Sequence, residues 1–203
     1  MRIFVFDTET TGFIDKKEID LDKQPRIIQF AGILWEIEEG NFKELEKVNI
    51  LVNPGIAIPF GASQVHHIYD IDVKDKPKIE SLIDKILYYI NSPDIIIGHN
   101  IEYDDAMIRL ELKRLGREYD YRPRQVLCTM KNTVDFCALK SEKRDWFKYP
   151  KLWELYKKIF WEYFSWAHDA IIDVEATLKC FLELQKNWTL TIKKQETQTL
   201  SLF

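Results

Sequence analysis

The sequence predicts an α/β domain built on a mixed five-stranded sheet that is flanked by helices. Two features of the pattern predict this class. Three strand patterns follow one another near the N-terminus, and a helix, a strand, a helix, another strand and further helices come after them. With 203 residues, 46% hydrophobic and 31% charged, the chain is long enough for one globular domain with a substantial core.

The first strand is expected at the N-terminus, where an apolar run rich in β-favouring residues leads into Asp7 and Glu9. Successive side chains of a strand point to opposite faces, so these two carboxylates project to the same side. Side by side at the end of a buried strand, they repel each other unless a cation lies between them. Hard divalent ions such as Mg²⁺ or Mn²⁺ prefer such ligands. The alternative is a strand that merely ends in polar residues, with Gly12 making the turn.

The next segments predict two more strands and a short helix. Residues 13–25 form an exposed loop, and Ile27–Ile37 and Val48–Val52 are strands that complete an antiparallel meander. A short helix with a turn follows at residues 61–68, and an amphipathic helix at Ile79–Ile90.

The middle of the chain predicts a strand, a polar turn and a helix. Residues 94–98 are almost wholly apolar, as in a strand covered on both faces, and the following helix continues to Leu115 and Gly116. The polar residues 99–105 therefore lie at the carboxyl end of a strand, where open α/β sheets place their sites.

The last third predicts a short strand at 126–128 and helices at 129–139, 151–160 and 170–184, the last carrying Asp173 in its first turns. Between them, the charged loop 140–150 contains aromatic residues. Aromatic side chains among lysines can stack on nucleic-acid bases, although packing into the core explains them equally well.

Composition narrows the class of protein. A net charge of −4 does not suggest a non-specific nucleic-acid binder, but acidic metal ligands count against the total until ions bind. Cys128, Cys137 and Cys180 form no Cys-x-x-Cys pair, and we expect reduced, packed thiols. No apolar run of membrane-spanning length and no leader pattern are found, so a cytoplasmic protein is expected.

Three acidic blocks together resemble those of the DEDDh 3′–5′ exonucleases, the family of the proofreading epsilon subunit of bacterial DNA polymerase III. The first block is residues 7–12, Asp-Thr-Glu-Thr-Thr-Gly. The second, residues 99–104, resembles His-Asn-x-x-Phe-Asp, with Tyr103 in place of phenylalanine. The third runs from His168 to Asp173 and resembles the His-x-x-x-x-Asp pattern of the histidine-containing subclass.

The resemblance implies a ribonuclease H-like exonuclease fold and a set of site residues. Two divalent ions, Mg²⁺ or Mn²⁺, would be held by four carboxylates: Asp7, Glu9, Asp104 and Asp173. His168 would take the proton from the attacking water. Contacts to the terminal nucleotide are expected from Thr10, Thr11, Gly12, His66 and Asn100.

Three departures or alternatives stay open at this stage. Asp105 is the alternative to Asp104, because a slip of one residue on a helix turns the side chain by about 100°. The alternative role for Asn100 or for an aspartate of this block is only to cap a helix. His67 stands where the family often has glycine, which puts the local backbone shape in doubt.

The implied reaction is stepwise release of nucleoside 5′-monophosphates from a DNA 3′ end, in replication proofreading or repair. The same residues would also serve a DEDDh ribonuclease that trims RNA or oligonucleotide 3′ ends. A non-catalytic binding module is the third hypothesis, and the complete set of acidic residues argues against it.

The sequence after the predicted exonuclease domain (residues 1–188) is expected to be a flexible tail, 189–203, because it cannot pack a core by itself. Its last six residues resemble the Gln-x-Leu-x-Leu-Phe peptide that docks on the replication sliding clamp. The predicted partner-binding residues are Gln198, Leu200, Ser201, Leu202 and Phe203. A replicative polymerase is a further candidate partner, although epsilon subunits carry a longer C-terminal segment for it.

Overall fold

The computed structural model describes residues 1–142, 146–164 and 169–187. Within them one mixed sheet has five strands, which are β1 (Arg2–Thr10), β2 (Ile27–Glu38), β3 (Asn41–Leu51), β4 (Ile95–Gly98) and β5 (Val126–Cys128). The strand order is β3-β2-β1-β4-β5. The first three strands are antiparallel, while β4 is parallel to both β1 and β5. The predicted five-stranded mixed sheet is confirmed.

Helices cover both faces of this sheet. The described α-helices are α1 (Phe60–His66), α2 (Asp70–Val73), α3 (Ile79–Asn91), α4 (Ile101–Arg114), α5 (Thr129–Asn132), α6 (Val134–Cys137), α7 (Leu152–Phe160) and α8 (Ala170–Lys186). None of the described helices is long and apolar enough to span a membrane.

The alternation of β1 separates two apolar cores. Phe4 and Phe6 point to the face covered by α3 and α4, where Phe4 stacks on Tyr89 with ring centroids 5.1 Å apart. Gly32 on β2 leaves room for the Phe4 ring, because a Cβ at this position would lie 2.2 Å from its Cζ. Ile3 and Val5 point to the opposite face, which α7 and α8 cover. The strand that carries the first acidic block is thus held rigidly from both sides.

The first strand is longer than its apolar run predicts. β1 continues through Thr10, so Asp7 and Glu9 lie within the strand and not beyond its end. They pair in register with Ala31 and Gln29 of β2. Two polar residues inside a paired strand have fixed directions, which a loop would not give them.

Other boundaries differ for local reasons. β3 begins at Asn41 and not at Val48, because the part of this edge strand before Val48 is exposed on both faces and shows no apolar alternation. The helix predicted at 129–139 is two short helices that meet at Thr133, whose hydroxyl donates to the Thr129 carbonyl (2.8 Å). The one-turn helix α2 was not predicted, and the predicted loop 13–25 contains a 3₁₀ turn at Leu21–Lys23.

Two smaller expectations concern single residues. His67 adopts the left-handed conformation (φ 59°) that glycine favours, so the backbone keeps the expected turn despite the side chain. The three cysteines are buried free thiols, as expected. His168 and the tail 189–203 lie outside the described residues, and the boundary at residue 188 stays a prediction.

Candidate active site

Three carboxylates meet beside the carboxyl end of β1. Asp7 and Glu9 project from the face that α8 covers, and Asp173 comes from the first turn of α8. Each side chain offers one oxygen, and the three oxygens lie within 4.8 Å of one another. Such a group of half-buried carboxylate oxygens can bind a metal ion.

A fourth carboxylate, that of Asp104 in the first turn of α4, lies beside this group. Asp104 is 3% exposed, and its Oδ1 accepts hydrogen bonds from the Thr8 amide (2.9 Å) and the Thr8 hydroxyl (2.7 Å). The next residue, Asp105, instead pairs with Arg109 at 2.7 Å. The structure therefore directs Asp104, and not Asp105, towards β1.

The buried carboxylates repel one another. Burial, and then the charges of Asp104, Glu9 and Asp173, raise the pKa of Asp7 well above its usual range. Burial and the charges of Asp173 and Asp104 raise the pKa of Glu9 to about 8. Burial raises the pKa of Asp104 to about 7, although the hydrogen bonds from Thr8 oppose this rise. An all-oxygen donor set with this much unbalanced charge fits a hard divalent cation.

The end of the first block is held by its own side chains. The Thr10 hydroxyl donates to the Gly12 carbonyl (2.9 Å), and the Tyr103 hydroxyl donates to the same oxygen (2.6 Å). The Thr11 hydroxyl accepts a hydrogen bond from the Arg26 amide (2.9 Å). Both threonine side chains thus fix the backbone turn, and the nucleotide contacts expected from residues 10–12 stay a prediction.

The other predicted substrate residues lie in different surroundings. His66 is buried at the end of α1, where its Nδ1 accepts from the Ile68 amide (3.1 Å). Asn100 is exposed and left-handed (φ 70°) at the start of α4. Nucleotide contacts by these two residues also stay predictions. His168 is outside the described residues and directly precedes Asp169, the N-cap of α8.

The sequence analysis gave no individual role to two further residues in and beside the acidic blocks. Phe13 is 91% exposed and meets the Tyr103 ring edge-on, with centroids 6.2 Å apart. An aromatic residue directly after the first block was the available signal. His99 is half-buried, and desolvation lowers its pKa to about 4. Its neutral ring bridges Thr129 Oγ1 and the Pro150 carbonyl, each at 3.0 Å, which ties the approach to α7 to the end of β4.

The family follows from a match over most of the chain. The model of the RNase_T family, described as an exonuclease, matches residues 4–181, a range that contains all four carboxylates. The chain belongs to the RNase_T exonuclease family. Its similarity to the epsilon-type exonucleases, which the acidic blocks suggested, is confirmed by the relatives described next.

Curated relatives of this exonuclease include DNA polymerase III epsilon subunits. The subunit of Buchnera aphidicola is 31% identical over 117 residues, which are 58% of this chain and 47% of that protein. The subunit of Rickettsia conorii is 31% identical over 138 residues, which are 66% of this chain and 52% of that protein. The exonuclease chain thus matches only about half the length of these relatives.

Solved structures share the fold. Exonuclease X in complex with 5′ overhanging duplex DNA superposes with a TM-score of 0.58 at 21% identity, over 93% of this chain and 94% of that one. E. coli exonuclease I in a single-stranded DNA complex gives a TM-score of 0.69 at 22% identity, over 92% of this chain and 40% of that one. The ribonuclease H-like exonuclease fold is confirmed.

The raised pKa of Glu9 predicts how the stability of the metal-free exonuclease depends on pH. Between the ordinary value of 4.5 and about 8, the folded protein keeps a proton on Glu9 that the unfolded chain releases. This proton contributes fully to stability below the pKa of Glu9 in the unfolded chain. The contribution is lost as pH rises through the pKa of Glu9 in the folded protein. In EDTA, the melting temperature of Glu9→Gln should therefore increase relative to that of the wild type as pH rises from about 5 to about 8.

Thermal unfolding followed by circular dichroism checks this prediction. Glu44→Gln on the exposed strand β3 is the matched control and should track the wild type. Mg²⁺ or Mn²⁺ should raise the melting temperature of the wild type, and the rise should be larger at the upper end of the pH range. A difference in melting temperature between Glu9→Gln and the wild type that stays constant across this pH range would contradict the repulsion among the carboxylates.

Proposed function

We propose that this protein is a metal-dependent 3′–5′ exonuclease that hydrolyses DNA from the 3′ end to nucleoside 5′-monophosphates, in replication proofreading or repair. The observation that carries the proposal is the group of Asp7, Glu9 and Asp173, whose oxygens lie within 4.8 Å in a chain of the exonuclease family. DNA as the substrate is supported by relatives named as epsilon subunits of DNA polymerase III and by fold neighbours solved with DNA.

The carboxylates have one shared role in this proposal. Asp7, Glu9, Asp104 and Asp173 would hold two divalent ions, Mg²⁺ or Mn²⁺. When bound, such ions activate a water for attack and stabilise the charge that develops on the departing 3′ oxygen. Thr8 keeps Asp104 directed at β1 through its two hydrogen bonds, so the carboxylates are in place before the cations arrive.

The turn after β1 would receive the terminal nucleotide. Hydrogen bonds from Thr10 and Tyr103 to the Gly12 carbonyl fix the backbone of this turn. The turn is therefore ordered before a nucleotide binds, which lowers the entropic cost of binding. The exposed ring of Phe13 follows directly and offers a flat apolar surface on which a base can stack. Thr10, Thr11, Gly12, His66 and Asn100 are the nucleotide-contacting residues of this proposal.

The proton of the attacking water would be accepted by an imidazole nitrogen of His168. Its position one residue before the N-cap of α8 places it close in sequence to Asp173, which supports this role. A histidine is suited to the task because its ordinary pKa is near neutrality.

The test of the function is digestion of 3′-labelled and 5′-labelled DNA and RNA, single-stranded and duplex, with Mg²⁺ or Mn²⁺. The wild type should release 5′-mononucleotides from the 3′ end of DNA, and EDTA should stop the reaction. Asp7→Ala should abolish turnover and leave the protein folded, with a melting temperature in EDTA at or above that of the wild type, because one repelling charge is removed.

Asp105→Ala is the matched control, since this carboxylate faces Arg109, and it should retain activity. Activity that persists in EDTA or in Asp7→Ala would refute the metal-dependent reaction. A clear preference for RNA 3′ ends would replace the DNA exonuclease with a trimming ribonuclease.

The role of His168 predicts a second set of results. His168→Ala should lower the rate by roughly 10²–10⁴-fold, which is the usual contribution of a general base. The wild-type rate should rise with pH as the imidazole loses its proton, near the ordinary pKa of about 6.5. Mn²⁺ binding measured by calorimetry should survive the substitution.

His67→Asn provides the control for this prediction, since asparagine accepts the left-handed backbone at that exposed position. It should keep the wild-type rate and pH profile. Near-normal turnover of His168→Ala would assign the proton transfer to another group.

The last six residues of the sequence would tether the exonuclease to a sliding clamp. A short extended peptide buries little surface, so its own affinity should be about micromolar. A flexible link would nevertheless hold the active site at roughly millimolar effective concentration near a clamp-loaded 3′ end. A replicative polymerase, as in the relatives named above, would be a further partner at the same end of DNA.

Deleting residues 198–203, or changing Leu202 and Phe203 together to alanine, should leave digestion of free oligonucleotides unchanged and remove the stimulation by clamp. Thr199→Ala, at a position that the motif leaves unspecified, is the control and should retain stimulation. Calorimetric titration of the host clamp gives the direct measurement. If the full-length and the shortened protein bind the clamp with equal affinity, the proposed tether is refuted.

A further inference from the structure

A buried glutamine joins the sheet to the start of α8. Gln29 of β2 is 4% exposed and faces α8. Its Oε1 accepts a hydrogen bond from the Ala170 amide (3.2 Å), and its Nε2 donates to Asp169 Oδ1 and to Asn49 Oδ1, each at 3.0 Å. Both ends of the carboxamide are thus engaged, and its partners lie on β3 and on α8.

These contacts complete the N-terminus of α8. The first amides of a helix lack partners within the helix. Asp169, the N-cap residue, accepts from the Ile171 amide (3.3 Å), and Gln29 accepts from the Ala170 amide. The Asp169 oxygen that caps the helix is the same one that receives Nε2 of Gln29. The sheet therefore fixes both the cap and the first residue of the helix.

The position of this contact connects it to the active site. Gln29 pairs in register with Glu9 on β1, and Asp173 follows Ala170 by less than one helical turn. The hydrogen bonds of Gln29 thus join two elements next to the site. One is β2, which pairs with the carboxylate-bearing β1, and the other is α8, which brings the third carboxylate. His168 directly precedes Asp169 in the chain.

The rest of α8 has an independent attachment. Val174, Leu178 and Phe181 are buried in the apolar core between the helix and the sheet, and Glu175 forms an ion pair with Lys47. Loss of the Gln29 contacts should therefore leave the helix packed while its first turn becomes less well fixed.

We propose that Gln29 is a positioning residue that sets the start of α8 and thereby the separation of Asp173 from Asp7 and Glu9. This inference rests on the proposed function for its catalytic consequence, but its effect on metal binding needs no nucleic acid.

The substitution that tests it is Gln29→Met, which keeps the length of the side chain and removes its hydrogen bonds. Mn²⁺ affinity measured by calorimetry on the full chain should fall by about 10–100-fold, the usual effect of losing a group that orients a ligand. The kcat on DNA should fall similarly at limiting metal, while KM for DNA stays within about twofold of the wild type, because misplacement acts on the reacting groups.

Gln24→Met is the matched control. Gln24 is also buried and also makes three hydrogen bonds, to Asp15 and Glu18 in the 13–25 loop and not to α8. Its replacement should cost thermal stability and leave Mn²⁺ affinity unchanged. Asp169→Ala should reproduce the loss seen with Gln29→Met, and the conservative Asp169→Asn, which retains an oxygen acceptor, should restore most of it.

The outcomes distinguish a failure of the positioning role of Gln29 from a failure of the proposed function. Wild-type Mn²⁺ affinity in Gln29→Met, or an equal loss in Gln24→Met, would overturn the positioning role. Unfolding of both Gln29→Met and Asp169→Ala would also overturn it, because the contact would then serve stability alone. A wild type that binds Mn²⁺ but digests no DNA would count against the proposed function and leave the calorimetric comparison valid.

Discussion

Mutual repulsion among buried carboxylates is the constraint on which this structure depends. Burial raises the pKa of Asp7, Glu9 and Asp104, and neighbouring negative charges raise it further, so the fold must hold in place groups that repel one another when they are ionised. The two apolar cores on either side of β1 provide this support. Aromatic rings against Phe4 and Phe6 hold one face, and α8 packs on the other.

Each carboxylate outside β1 is brought to the site by a tertiary hydrogen bond. Thr8 directs Asp104, and Gln29 fixes the start of the helix that carries Asp173. The Tyr103 hydroxyl holds the turn that follows the first block. The carboxylates outside β1 and the residues that hold them in place therefore come from different elements of the fold.

Local patterns predicted much of this arrangement. The strand period placed Asp7 and Glu9 on one side, and helix periodicity found α3. The choice between Asp104 and Asp105 needed the partner residue Thr8, which is distant in sequence. Gln29 gave no signal, because one polar residue in an apolar strand looks like an interruption until Asp169, 140 residues away, is placed beside it. The exposed half of β3 was missed because an edge strand needs no apolar alternation.

The central position of β1 has a consequence for cooperativity. β1 is paired with β2 along its length and with β4 from Ile3 to Val5, so we expect its amides to be among the last that local openings expose to solvent. α8 is held against the sheet by packed side chains. Asp7 and Glu9 therefore depend on the backbone hydrogen bonds of a paired strand, and Asp173 depends on the packing of a helix. We expect a partial opening of this domain to displace Asp173 from the other two carboxylates before it unfolds the strand that carries them.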